Sequence, residues 1–232
     1  MFGIAYEAKV LAIKGLYYEG DYWHKGKGGE KIAEAIKYAV DSKARIINLS
    51  LSSVTDDPAV VDALQYAAEH EVLVFAAAGN EGAGSPKFPA SHPLAVGVGN
   101  ADSQFSQFAL SSNQAGRERK DFFTAPGQFV LSTTPDNTYQ TMSGTSMATP
   151  YVAGVAARML SANPNLTKDQ VLDILASTAS HLSLPMLSSG EYLQGFATML
   201  GLIALSTLLA KKTVTLLAQP TGPPQKGKRL GE

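Results

Sequence analysis

Residues 143–150 read SGTSMATP and run directly into YVAGVAARML at 151–160. Small and hydroxyl-bearing side chains crowd around Ser146, and an apolar helical pattern starts at once. Pro150 suits the first turn of a helix, where its missing N–H costs nothing. Thr145 or Ser146 can cap that helix, which puts the Ser146 hydroxyl at the positive end of the helix dipole. The chemistry open to such a hydroxyl is nucleophilic attack on a carbonyl. Negative charge developing beside it would be stabilised by the free N–H groups of the first turn. A lone serine in this position is most often only a cap. Its meaning depends on what the rest of the chain places around it.

A chain of 232 residues is most simply one domain, large enough for one sizeable core. With 45% hydrophobic and 17% charged residues it reads as an ordinary globular protein. A formal net charge of −1 argues against binding nucleic acid or a membrane surface through charge. There is no cysteine, so disulfides and thiolate metal sites are excluded. The opening residues, MFGIA, have no basic start and no cleavage site, so no signal peptide is expected within the chain.

The elements that must position Ser146 follow in order. Residues 8–14 (AKVLAIK) predict a short strand, and residues 20–29 a polar glycine-rich loop. Residues 30–41 predict a helix with Ile32, Ala35, Ile36, Ala39 and Val40 on one face. Residues 45–51 (RIINLSL) predict a buried strand. Residues 58–70 predict a second helix, started by Asp57-Pro58. Buried strands are predicted again at 72–78 and 94–99, and shorter ones at 122–127 and 128–134. Residues 135–141 read as a loop before the Ser146 helix. Asn163-Pro164-Asn165 ends that helix, and Thr167-x-x-Gln170 is a capping box for another reaching about Ala179.

Strands alternating with helices at this spacing predict an α/β fold: a mostly parallel central sheet flanked by helices in three layers. Ligands of such sheets gather at the carboxyl ends of the strands. Two loops rich in small residues lie there, at 50–53 and 78–82. Residues 196–210 form an apolar stretch of 15, short of the roughly 20 needed to cross a bilayer, so a core or docking helix is expected. From Gln219 onward Pro, Gly, Lys and Arg dominate, which predicts a disordered basic tail at 219–232.

Five segments together resemble the subtilisin-like serine proteases: NLSLSS at 48–53, FAAAGNEG at 75–82, FPA at 88–90, TAPG at 124–127 and GTSMATPYVAGVAA at 144–157. The resemblance covers roughly residues 3–180 in unbroken order, and the last motif is highly specific. It implies a partial catalytic domain at 1–181, with 182–218 as a helical segment of the same domain. It also implies that Ser146 is the nucleophile of an acyl-enzyme mechanism, and that the Asn80 side chain and the Ser146 N–H bind the oxyanion. Ser50, Leu51 and Ser52 match the strand that pairs with an extended polypeptide substrate. Ala77, Ala78 and Gly79, with Thr145, match the other side of the binding cleft. The family usually has Ser-Leu-Gly-Gly where this chain has Ser-Leu-Ser-Ser, which puts the specificity pocket in question.

The family's triad runs Asp, His, Ser along the chain. Gly3-Ile4-Ala5 resembles the segment that follows the catalytic-histidine helix, and nothing in the chain resembles His-Gly-Thr-His. The resemblance therefore implies that the Asp and His belong to an upstream fragment, and that this chain alone is inactive. His24, His70, His92 and His181 read as loop, capping or surface residues. Asp21, Asp41, Asp56, Asp57 and Asp62 read as loop and helix-start residues. Two rivals remain. One is an α/β-hydrolase-type esterase using Ser146, Asp169 or Asp173, and His181 in the order Ser, Asp, His. The other is a non-catalytic module that binds extended peptides. No metal site is assigned; calcium is a family expectation only. An extracellular location is expected on the resemblance alone.

Overall fold

The computed structural model describes residues 3–16, 18–19, 22–23, 28–82, 84–102, 108–115 and 119–179. In chain order the elements begin with β1 (Tyr18–Glu19), β2 (Tyr22–Trp23), α1 (Gly28–Asp41), β3 (Ile46–Leu49) and α2 (Pro58–Glu69). They continue with β4 (Leu73–Ala77), β5 (Val96–Ala101), β6 (Phe122–Pro126) and β7 (Val130–Thr134). The last are β8 (Thr138–Met142), α3 (Thr145–Ala162) and α4 (Lys168–Thr178). The expected segments 196–210, 182–218 and 219–232, with Asp21, His24 and His181, lie outside the described residues.

Strand β4 shows why three layers form. Leu73 and Phe75 pack toward α3, in one cluster with Val96, Val98, Phe123 and Ala125 of the neighbouring strands. Val74 and Ala76 pack toward α1 and α2. Alternate residues of one strand are thus buried on both faces, as a parallel sheet covered by helices requires. The sheet order is β3-β4-β5-β6, all parallel, as the alternating pattern predicted. Helix α2 is started by Asp57, whose Oδ1 accepts from the Ala59 and Val60 N–H groups. Tyr66 ties α2 to α1 by donating to Asp41 Oδ1 at 2.8 Å. That bond, before the smaller effects of burial and the Asp41 charge, raises the tyrosine pKa above its ordinary value.

The predicted capping box is present. Gln170 N–H donates to Thr167 Oγ1 (3.2 Å), and Thr167 N–H donates to Gln170 Oε1 (3.0 Å). Thr167→Ala is expected to cost about 1 kcal/mol of stability, read as a lower urea midpoint at unchanged slope, because one first-turn N–H of α4 loses its acceptor.

Two expectations are corrected. Residues 8–14 form no strand: the described sheet ends at β3, and a β-like run becomes a strand only beside a partner. Val10 in that run is 86% exposed. Within residues 135–141, expected as loop, β8 begins at Thr138 and runs antiparallel to β7. Asp136 and Asn137 adopt positive φ at the turn, as tight hairpins demand, and the exposed strand carries no apolar alternation to betray it. Arg119, just before β6, is an anchor that the sequence does not mark. Arg119 pairs with Asp121 and donates to the carbonyls of Ala90, Ser91 and Ala95.

Candidate active site

Ser146 lies at the carboxyl ends of β3 and β4, where a doubly covered parallel sheet holds its ligands. The position follows from the order of elements. Residues 50–53 leave β3, residues 78–82 leave β4, and α3 begins beside both. Gly144, at φ 148°, is the N-cap of α3 and has no side chain with which to cap it. The expected capping role of Thr145 or Ser146 is therefore not taken up. With α3 starting at Thr145, Pro150 falls in the second turn and not the first.

Thr145 is fully buried and orients Asn80. Its N–H donates to Asn80 Oδ1 at 2.9 Å, and its hydroxyl donates to the same oxygen at 3.2 Å. The hydroxyl in turn accepts from the Gly79 N–H at 3.2 Å. With its oxygen engaged in this way, the Asn80 amide has only its Nδ2 group left to offer. Among the described residues neither Asn80 Nδ2 nor the Ser146 N–H has an acceptor. Two uncommitted donors at the positive end of a helix form the kind of site that binds an oxyanion.

Asn113 holds the Asn80 loop from behind, and the sequence gives no signal for it. Its side chain, wholly buried, accepts from Glu81 N–H and donates to Glu81 Oε2 and the Ser85 carbonyl. Its own N–H donates to the Gly79 carbonyl. Only the coming together of two distant loops identifies this residue.

The proposed substrate-facing residues separate into two kinds. Ala77 and Ala78 are buried, and the backbone of Ala78 and Gly79 is fully used within the protein. They can form a wall but cannot pair with a peptide. Leu51 and Ser52 leave their backbone groups uncommitted among the described residues. Ser53 then pairs in both directions with Phe88, which closes the run after residue 52. Ser50 contacts Ser146 directly: Ser146 Oγ donates to the Ser50 carbonyl at 3.1 Å, and Ser50 Oγ donates to the Ser146 carbonyl at 2.8 Å.

No described histidine faces Ser146. His70 ends α2 with Nδ1 on the Tyr66 carbonyl, and His92 Nδ1 accepts from the Leu94 N–H. Among the described residues no three His, Cys, Asp or Glu side chains gather as a metal site. The esterase alternative is not supported by the geometry. Asp169 lines a cleft of about 340 Å³ with Leu73, Val96 and Asp121, at the amino ends of the strands. Ser146 lies at the opposite end of the sheet. A strand does precede it, but β8 belongs to a separate hairpin and not to the parallel sheet that a nucleophile elbow requires.

The family model described as "Subtilase family" matches residues 1–202. M-protease of Shouchella clausii (strain KSM-K16) is 37% identical over 183 residues, covering 78% of this chain and 46% of that protein. Subtilisin Savinase of Lederbergia lenta is 36% identical over 183 residues, covering 78% of this chain and 64% of that protein. This chain thus spans about half to two thirds of the length of these curated relatives. Among solved structures, that of the prenylagaramide maturation protease PagA superposes with a TM-score of 0.66 at 32% identity, covering 76% of this chain and 67% of that one. The patellamide maturation protease PatA gives 0.65 at 30% identity, covering 77% and 69%. A match of this length, with relatives above 30% identity and a shared fold, places the chain in the subtilase family.

Proposed function

We propose that this chain supplies the nucleophile and the oxyanion donors of a serine endopeptidase acting on extended polypeptides. The observation that carries this reading is the 2.9 Å contact from Thr145 N–H to Asn80 Oδ1, which leaves Nδ2 as the amide's only offer beside Ser146. In the reaction Ser146 Oγ adds to the scissile carbonyl carbon while a base takes its proton. The carbonyl oxygen becomes an oxyanion held by Asn80 Nδ2 and the Ser146 N–H. The base then returns the proton to the leaving amine, and water hydrolyses the acyl-enzyme by the same route. The peptide pairs with the uncommitted backbone of Leu51 and Ser52, leaving specificity to side-chain pockets.

The base and its carboxylate partner come, in this reading, from an Asp- and His-bearing segment outside the described residues. The open side of β3 supports this. Arg45 O accepts from Leu73 N–H, so by alternation the backbone groups of Ile46 and Asn48 point away from β4. Among the described residues this parallel edge has no partner strand, and it is where such a segment would pack. An extracellular location is proposed on the family alone; among the described residues no helix is long and apolar enough to cross a membrane.

A fluorophosphonate probe read by intact mass tests the reading. The chain by itself should show no adduct, because a serine hydroxyl without a base is a weak nucleophile. The same chain joined to an Asp- and His-bearing upstream segment should label to one equivalent at Ser146. Stoichiometric labelling of the chain alone would overturn the incompleteness. If the completed chain binds peptide but forms no adduct, a peptide-binding module replaces the protease.

A further inference from the structure

Inside a helix every carbonyl accepts from the N–H four residues on. For Ser146 that residue is Pro150, which has no N–H to give. The Ser146 carbonyl is nevertheless bonded, because Ser50 Oγ donates to it at 2.8 Å from the end of β3. Ser50 Oγ itself accepts from Asn48 Nδ2 at 3.0 Å, which commits the hydroxyl proton to the Ser146 side.

We propose that Asn48 and Ser50 are positioning residues for the nucleophile, and that Pro150 exists in the second turn to vacate the carbonyl they hold. The relay runs from the Asn48 amide through the Ser50 hydroxyl to the Ser146 carbonyl. It locks the backbone that carries both the nucleophilic oxygen and the Ser146 N–H donor to the rigid sheet. Catalytic groups need placement to within about half an ångström, and a loop-borne helix start would not hold it alone. A proline that only capped the helix would sit in the first turn and leave no carbonyl inside the helix without its donor. This inference rests on the proposed role of Ser146 for its purpose, but its geometry is testable without any catalysis.

The test is residue-resolved amide hydrogen exchange on the full chain. Ser50→Ala should speed exchange of the Met147, Ala148 and Thr149 amides roughly three- to tenfold, the worth of one net hydrogen bond. Ser50→Thr keeps the hydroxyl and should leave those rates within about twofold. In a Pro150→Ala background the helix regains its own donor, so Ser50→Ala should then have no effect on the same amides. Asn48→Ala, which leaves Ser50 in place, should give a smaller acceleration of about twofold. Equal effects of Ser50→Ala in both backgrounds, or none in either, would overturn the proposal. Failure of probe labelling in the completed chain would instead remove the proposed function and leave the exchange result standing.

Discussion

Asn80→Asp, made in the chain joined to an Asp- and His-bearing upstream segment, is expected to lose at least about 10²–10³ of kcat while KM moves little. The size is carried over from the matching donor of subtilisin and is not deduced from the present geometry. What the geometry adds is the choice of variant. Asn80 Oδ1 accepts from both donors of a fully buried Thr145. Asn80→Ala would leave those donors without a partner, costing about 1–3 kcal/mol of stability and confusing the result. Aspartate keeps an oxygen for Thr145 and replaces only the Nδ2 donor. Its negative charge also opposes the oxyanion, so the loss should exceed that of a neutral replacement. Steady-state kinetics beside a thermal melt reads the outcome: kcat falls and the melting temperature holds. An unchanged kcat would remove Asn80 from the oxyanion site.

The sheet was largely legible because its information is local. A strand covered on both faces needs an unbroken apolar run, and VLVFAAA at 72–78 and LAVGVG at 94–99 announce themselves. Capping chemistry is equally local, which is why Thr167 and Gln170 could be paired by eye. What failed to show was anything that depends on a partner. Residues 8–14 have the composition of a strand, but a ladder needs a second chain segment beside it. Strand β8 has no buried face, so nothing in its composition records its pairing with β7. Nothing local marks Arg119 as an anchor, because its three carbonyl partners come from the 90–95 loop.

The site divides in the same way. Ser146 and Asn80 were recognisable through motif, and the fold brings their neighbourhoods within hydrogen-bond distance across 65 residues of chain. The motif alone assigns Thr145 to the cleft, whereas it is buried as the group that turns the Asn80 amide. From sequence Pro150 reads as a harmless first-turn proline, because the sequence does not fix a helix start to the residue. Moving the start to Thr145 changes its consequence: a carbonyl is vacated, and Ser50 fills the vacancy.

Gly127→Ala is expected to destabilise the chain by about 3 kcal/mol, the upper end of what overpacking costs, and to displace Ser146 as well. A Cβ at this position would lie 2.5 Å from Asn100 Oδ1 and 2.6 Å from the Gly144 carbonyl. Neither obstacle can yield cheaply. Asn100 is wholly buried, and Gly144 is backbone, bonded through its N–H to the Gly127 carbonyl at 2.8 Å. The strain must therefore pass into Gly144, which already holds φ 148° and starts the helix that carries the nucleophile. A glycine farther along that helix is the comparison. At Gly154 a Cβ would meet the Ile4 side chain at 3.1 Å, where a few tenths of an ångström of movement suffices and helix propensity gains. Urea unfolding of the two variants should separate them by about 2 kcal/mol or more. In the completed enzyme, active-site titration should drop for Gly127→Ala even where it remains folded. Equal stability of the two variants would mean that the Gly127 backbone, and with it the anchoring of the α3 start, is free to move.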